Sequence, residues 1–133
     1  MSTDAGQSAI ERLVDQARAR LQRVKPDEAA EAARGGGLII DIRSETQRAI
    51  DGLVPGAIVV PRNVLEWRVD PTDDYHDEKI VSRGGPLIVM CDEGYQSSLA
   101  AATLLDLGIE DATDMVDGFQ GWRAAGLPVE RPA

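Results

Sequence analysis

The stretch Pro86-Leu87-Ile88-Val89-Met90-Cys91-Asp92-Glu93-Gly94-Tyr95-Gln96-Ser97-Ser98-Leu99-Ala100 decides the fold. Leu87 to Met90 is a short unbroken apolar run, as expected of a strand covered on both faces. Gly84-Gly85-Pro86 breaks the chain ahead of it. Ser97 to Leu107 is rich in Ala and Leu, lacks Gly and Pro, and stops at Gly108, so it predicts a helix with glycine just past its end. The chain's one cysteine stands where the strand ends. Gly94 supplies the positive φ that a loop closing over that cysteine requires.

A loop of this kind turns backbone N–H groups, together with the free N–H groups of the first helical turn, onto the sulfur. That environment favours thiolate over thiol and suits an anion seated on the sulfur. The helix end contributes only about 0.3–1 kcal/mol, so the converging N–H groups carry most of the effect. Asp92 and Glu93 oppose it to the extent that they face inward.

Outward from this centre, short apolar runs alternate with helical segments. Ser8 to Val24 places Ile10, Leu13, Val14, Ala17, Leu21 and Val24 on one stripe and predicts an N-terminal helix. Pro26 opens a short Ala/Glu helix over Asp27 to Arg34, ended by Gly35-Gly36-Gly37. Leu38-Ile39-Ile40 is the next strand, running into Asp41-Ile42-Arg43. Ser44 and Gln47 form a capping box for a helix to about Ile50. Ala57 to Val60 is a strand closed by Pro61, and Asn63 caps a short helix carrying Leu65 and Trp67. Asp70 to Glu78 is acidic and aperiodic, an exposed loop. Ala112 to Val116 is the last strand, and Gly118 to Trp122 opens a helix that stops at Gly126. Trp67 and Trp122 read as core or subsite-wall residues. The alternation implies a parallel sheet with helices on both faces, and function at the carboxyl ends of the strands, where Cys91, Asp41 and Arg43 stand.

A chain of 133 residues with 43% hydrophobic content makes one domain with a substantial core. Its net charge of −9 argues against nucleic acid or an anionic membrane as partner. Met1 to Gly6 is small and polar, with no long apolar stretch after it, so neither a secretory leader nor a membrane span is expected. A single cysteine makes neither an internal disulfide nor a metal-ligand cluster, and a cytoplasmic setting is the simplest expectation.

Four marks in order resemble the single-domain rhodaneses, a sulfurtransferase family. They are Asp41-Ile42-Arg43 at a strand end, Val54-Pro55-Gly56-Ala57, the Cys91-Asp92-Glu93-Gly94-Tyr95-Gln96-Ser97 loop, and Gly118-Phe119-Gln120-Gly121-Trp122 followed by Ala125 to Val129. The resemblance implies an α/β rhodanese-like domain over residues 23–133, with a mostly parallel sheet of about five strands and helices on both faces. Residues 1–22 form a helical extension outside it, packed on the domain or offered to a second copy or a partner.

The resemblance also implies chemistry. Cys91 would attack a sulfur donor such as thiosulfate, carry a persulfide held by the N–H groups of Asp92, Glu93, Gly94, Tyr95, Gln96 and Ser97, and pass the sulfur to a thiol acceptor. Neither a metal nor an organic cofactor is implied. Read from the residues themselves, Asp41 and Arg43 support the site either by shaping the substrate mouth or, as the favoured reading, as a structural ion pair tying the strand end to a neighbouring loop. One departure stands out: the family's loop arginine is Gln96 here, so a doubly negative donor is expected to be attracted weakly. Arg43 and Arg62, near strand ends, are the other sources of positive field. The main alternative is a rhodanese-like binding or regulatory module with weak or no catalysis. Cysteine phosphatase chemistry needs Cys-x₅-Arg, and the sixth residue after Cys91 is Ser97.

Overall fold

Strand β3, Leu87–Met90, is fully buried along its length, and its side chains divide between two cores. Leu87 and Val89 join Leu65, Val69, Ile80, Ala100 and Leu104 on one face of the sheet. Ile88 and Met90 join Ala29, Ala30, Phe119 and Trp122 on the other. The period-2 alternation of a strand produces this split. Burying each of the Leu, Val, Ile, Met and Phe side chains among these stabilises the fold by roughly 1.5–3 kcal/mol.

The structure, a computed structural model, describes residues 6–132; the first five residues of the expected extension and Ala133 lie outside it. Four strands form a parallel sheet in the order β2-β1-β3-β4, where β1 is Leu38–Asp41, β2 is Ile58–Val59 and β4 is Ala112–Asp114. Seven helices surround it: α1 (Ala9–Arg18), α2 (Pro26–Arg34), α3 (Glu45–Asp51), α4 (Leu65–Val69), α5 (Glu78–Val81), α6 (Gln96–Asp106) and α7 (Gly118–Ala124). Asp41 lies opposite Met90 and Asp114 opposite Val89. The carboxyl ends of β1, β3 and β4 therefore meet at one edge.

The sheet has four strands rather than about five. Where a fifth would lie, Val24 makes a single parallel bridge to Met115. Its N–H donates to the Asp114 carbonyl (3.1 Å), and it accepts from the Val116 N–H (2.8 Å). Pro26 then starts α2, so the segment turns helical after one paired residue. This pairing also ends the N-terminal helix at Arg18 rather than Val24. Helix α1 packs on α6, with Val14 and Ala17 buried while Ile10 and Leu13 remain exposed. Trp122 is buried, but Trp67 is half exposed and not a core residue. The acidic stretch is a loop to Asp77, whose carboxylate caps the short α5 by accepting from the Lys79 N–H. The capping box of α3 is present, with reciprocal Ser44 and Gln47 bonds of 3.1 Å. Among the described residues no helix is long and apolar enough to cross a membrane.

Asp41 and Arg43 are both buried at the end of β1. The Arg43 guanidinium donates to both Asp41 oxygens (2.8 and 3.1 Å) and to the Gly52 carbonyl (2.8 Å). It also lies 3.8 Å over the Phe119 ring. The pair thus ties the strand end to the turn after α3. Removing one member of a buried pair strands the other charge. Asp41→Ala is expected to cost about 3–5 kcal/mol in urea unfolding, and a loss under about 1 kcal/mol would contradict the role assigned to the pair.

His76, the sole histidine, sits in the acidic loop. Hydrogen bonding to the Asp73 carbonyl, then to the Glu78 carboxylate, raises its pKa above the ordinary value. The protonated ring is the form these acceptors hold. Its contribution is complete below the unfolded-state value of about 6.5 and is lost as pH rises through the raised folded-state value. An NMR titration is expected to place the His76 midpoint above that of a free histidine, and a midpoint at or below it would contradict the loop geometry.

Candidate active site

Cys91 continues the alternation of β3 and falls on the α6 side of the sheet, among the residues of that core. Its side chain is tucked beneath the loop at 7% exposure. Two backbone amides donate to Sγ, from Gly94 at 3.1 Å and from Ser97 at 3.3 Å. Ser97 lies in the first turn of α6, whose opening N–H groups have no intrahelical acceptor. Two fixed donors on one sulfur stabilise negative charge there.

The loop closes because of its glycines. Gly94 has φ +90°, and a Cβ at this position would come within 2.8 Å of the Asp117 nitrogen. Gly118 has φ +55°, and a Cβ there would lie 2.5 Å from the Cys91 carbonyl. With Asp117 also left-handed at φ 62°, the turn brings the first residues of α7 against the loop. The Phe119 N–H donates to the Cys91 carbonyl (2.9 Å) and the Gln120 N–H to that of Asp92 (3.0 Å).

A third loop carbonyl, that of Gly94, is held from the N-terminal segment. Arg18 Nη2 donates to it at 2.8 Å and Arg23 Nη2 at 3.0 Å. Arg23 also pairs with Asp114 through Nε (2.8 Å). Asp114 is fully buried and accepts in addition from the hydroxyls of Ser97 (2.8 Å) and Ser98 (2.7 Å). Ser98 also comes within 3.3 Å of the Gly94 carbonyl. A hydroxyl has one proton, and the shorter, charge-assisted bond to Asp114 takes it. The two guanidinium groups are thus the donors that serve Gly94. Arg18 Nε completes the network at 3.1 Å from Ser98 Oγ.

The other loop side chains turn outward. Glu93, Tyr95 and Gln96 are exposed. Asp92 accepts from Gln120 Nε2 (2.9 Å). Arg62 Nε donates to Gln96 Oε1 (3.2 Å), but Nη1 of the same guanidinium is bound by both oxygens of Glu66 (3.0 Å each). Arg43 is spent on Asp41. Neither arginine near a strand end supplies free positive field at the loop: Arg43 is buried and paired, and Arg62 is neutralised by Glu66. His76 is bonded within its own loop. Among the described residues no cluster of three His, Cys, Asp or Glu side chains is placed to hold a metal.

Asp114, Arg18 and Arg23 were not among the expected site residues. Asp114 is a lone carboxylate ending a short strand, and that was its only signal. Arg18 lies in the 1–22 extension and Arg23 at the first position of the 23–133 domain, where no motif marks it.

The Rhodanese-like domain family matches residues 25–125. A thiosulfate sulfurtransferase, GlpE of Haemophilus influenzae strain PittEE, is 26% identical over 107 residues, covering 80% of this chain and 92% of that protein. Among solved structures, a Rhodopseudomonas palustris protein described as a possible tyrosine phosphatase superposes with a TM-score of 0.83 at 28% identity. That superposition covers 93% of this chain and 96% of the other. A rhodanese-related protein from Thermoplasma volcanium has a TM-score of 0.62 at 23% identity, over 80% and 95% of the two chains, a likeness of fold.

Gly94→Ala puts a side chain at a positive φ and against the Asp117 backbone. The expected cost is about 1–3 kcal/mol in chemical denaturation, with slower alkylation of Cys91. Unchanged stability and alkylation would contradict the loop geometry.

Proposed function

The chain belongs to the rhodanese-like domain family, and on that footing we propose that it moves a sulfane sulfur from a donor to a thiol acceptor through a persulfide on Cys91. The Cys91 thiolate attacks the outer sulfur of the donor. With thiosulfate, a new S–S bond forms to Cys91, the old S–S bond breaks, and its electron pair leaves on sulfite. An acceptor thiolate, or cyanide in an assay, then attacks the terminal sulfur of Cys91-S-S⁻, and Cys91 departs as thiolate. The step needs no external oxidant or reductant.

The observation that carries this reading is the pair of amide donors on Sγ. They serve the thiolate before transfer and a persulfide anion after it, and the nucleophile needs no adjacent general base. The curated relatives named thiosulfate sulfurtransferase support the same class. A phosphatase reading has less support. The residue six after Cys91 is Ser97, whose hydroxyl is committed to Asp114, where phosphate transfer calls for a guanidinium fork.

The donor differs in character from thiosulfate. Gln96 is uncharged, Arg62 is occupied by Glu66, and Glu93 adds negative charge at the mouth. A doubly negative donor meets little attraction there, and a protein or low-molecular-weight persulfide fits better. The protein acts in the cytoplasm on this reading.

Intact mass spectrometry after incubation with a sulfane donor is expected to show one added sulfur on the wild type and none on Cys91→Ser. Absence of the adduct with thiosulfate and with a glutathione-type persulfide alike would overturn transfer in favour of a binding module. Gln96→Arg is expected to lower the thiosulfate KM by about tenfold, the scale of one charge-assisted contact. An unchanged KM would contradict the account of the mouth.

A further inference from the structure

We propose that Arg18 of helix α1 is a positioning residue of the Cys91 site, holding the Gly94–Tyr95 peptide in place and lending the loop the positive charge that position 96 lacks. The proposal rests on the sulfurtransferase reading for its purpose but not for its geometry. Arg18 lies outside the 25–125 region that matches the family.

Three observations converge on this residue. First, its guanidinium is the shortest contact to the Gly94 carbonyl, at 2.8 Å, and its Nε reaches Ser98 Oγ at 3.1 Å. Gly94 and Ser98 flank the active loop on both sides of Tyr95, so one planar fork spans the bend. Second, the C=O and N–H of a trans peptide point in opposite directions. A Gly94 carbonyl drawn toward α1 therefore turns the Tyr95 N–H away from α1 and fixes the plane of the peptide between the two residues whose N–H groups, Gly94 and Ser97, serve Sγ. Third, the two arginines on this carbonyl differ in charge balance. Arg23 is paired with the buried Asp114 at 2.8 Å. Arg18 has no carboxylate within salt-bridge distance among the described residues, and its guanidinium carbon lies 5.2 Å from the centre of the Tyr95 ring. Among the described residues no direct ion pair neutralises its charge, although Glu11 and Asp15 line the same recess, and it acts on the loop through a partly buried contact where screening is reduced.

Helix α1 is what carries this cation. Its buried residues Val14 and Ala17 anchor it on α6, and Arg18 is its last residue, beside the start of α6. An arginine delivered from behind the loop stabilises a negative sulfur without occupying the mouth. It leaves donor selection to Glu93, Tyr95 and Gln96.

The test is the rate of Cys91 alkylation by iodoacetamide from pH 5 to 9, on the full chain, with thermal melts as control. Arg18→Ala is expected to slow alkylation at pH 7 by about three- to tenfold, the scale of one charged contact to the loop, and to move the pH profile upward. Arg18→Lys, which keeps the charge, is expected to recover most of the rate. A wild-type rate and profile for Arg18→Ala would overturn the proposal, as would a lysine variant no better than alanine. Should Arg18→Ala fail to fold, Arg18→Gln keeps an amide donor for Gly94 and drops the charge, and the same outcomes apply to it. Alkylation needs no sulfur donor. Slowed alkylation in a protein that never gains sulfur would uphold Arg18 and sink the transfer reading, whereas normal alkylation with normal sulfur gain would do the reverse.

Discussion

A backbone amide serves a sulfur only if the carbonyls around it have somewhere else to go. The loop after β3 turns the N–H groups of Gly94 and Ser97 onto Cys91, and its carbonyls need donors on the outer side, because an unpaired buried carbonyl is costly. Three of them are met from two other parts of the chain. The first turn of α7 meets Cys91 and Asp92, and Arg18 and Arg23 meet Gly94. Much of the architecture reads as a consequence. Helix α7 must approach within hydrogen-bonding distance, which is why Asp117 and Gly118 adopt left-handed backbone and why residue 118 has no room for a Cβ.

The same demand accounts for the buried charges. A buried ion pair is a poor source of stability, since desolvation consumes most of the Coulomb gain. What Asp114 provides is direction. It gathers Arg23, Ser97 and Ser98 at the end of β4, and so fixes the start of α6 relative to the sheet. Asp41 does comparable work at the end of β1, where Arg43 reaches the Gly52 carbonyl. The two carboxylates flank the cysteine strand from its two neighbours. Parallel pairing puts all three strand ends at one edge, and that edge is where a doubly covered sheet leaves room for chemistry.

How much of this was legible follows from which interactions are local. The run Leu87 to Met90, the Gly94 loop and the Ala/Leu helix after it are written in consecutive residues, and so is the Ser44/Gln47 capping box. Asp41 and Arg43 are two apart and face the same side of an extended chain, so their pairing is also readable. Arg18 and Asp114 are 96 positions apart in the numbering and converge only after α1 has packed on α6. Nothing in a helix ending Asp15-Gln16-Ala17-Arg18 separates a cation bound for an active-site carbonyl from one bound for solvent. The fifth strand failed for a related reason. Val24 has the right side chain for pairing, but Pro26 and the helix it opens take the chain away after one bridge. Trp67 misled because size predicts burial only when a neighbour is there to cover it.

Position 96 is the place where the two halves of this site trade roles. An arginine there would stand at the mouth and act on thiolate, persulfide and incoming donor alike. With Gln96 in its place and Arg62 held by Glu66, the mouth is left without an uncompensated cation while Arg18 sits behind the loop. On the proposed reading, charge that stabilises the sulfur is thereby separated from charge that selects the donor. A site arranged so steadies negative charge on the sulfur yet loses its preference for small dianions, because the field of a partly screened cation behind the loop falls off over the distance to the mouth. On the same proposed reading the donor carries less negative charge and more apolar surface than thiosulfate, and Tyr95, exposed in the loop and stacked by Arg18, is the side chain that would meet that surface.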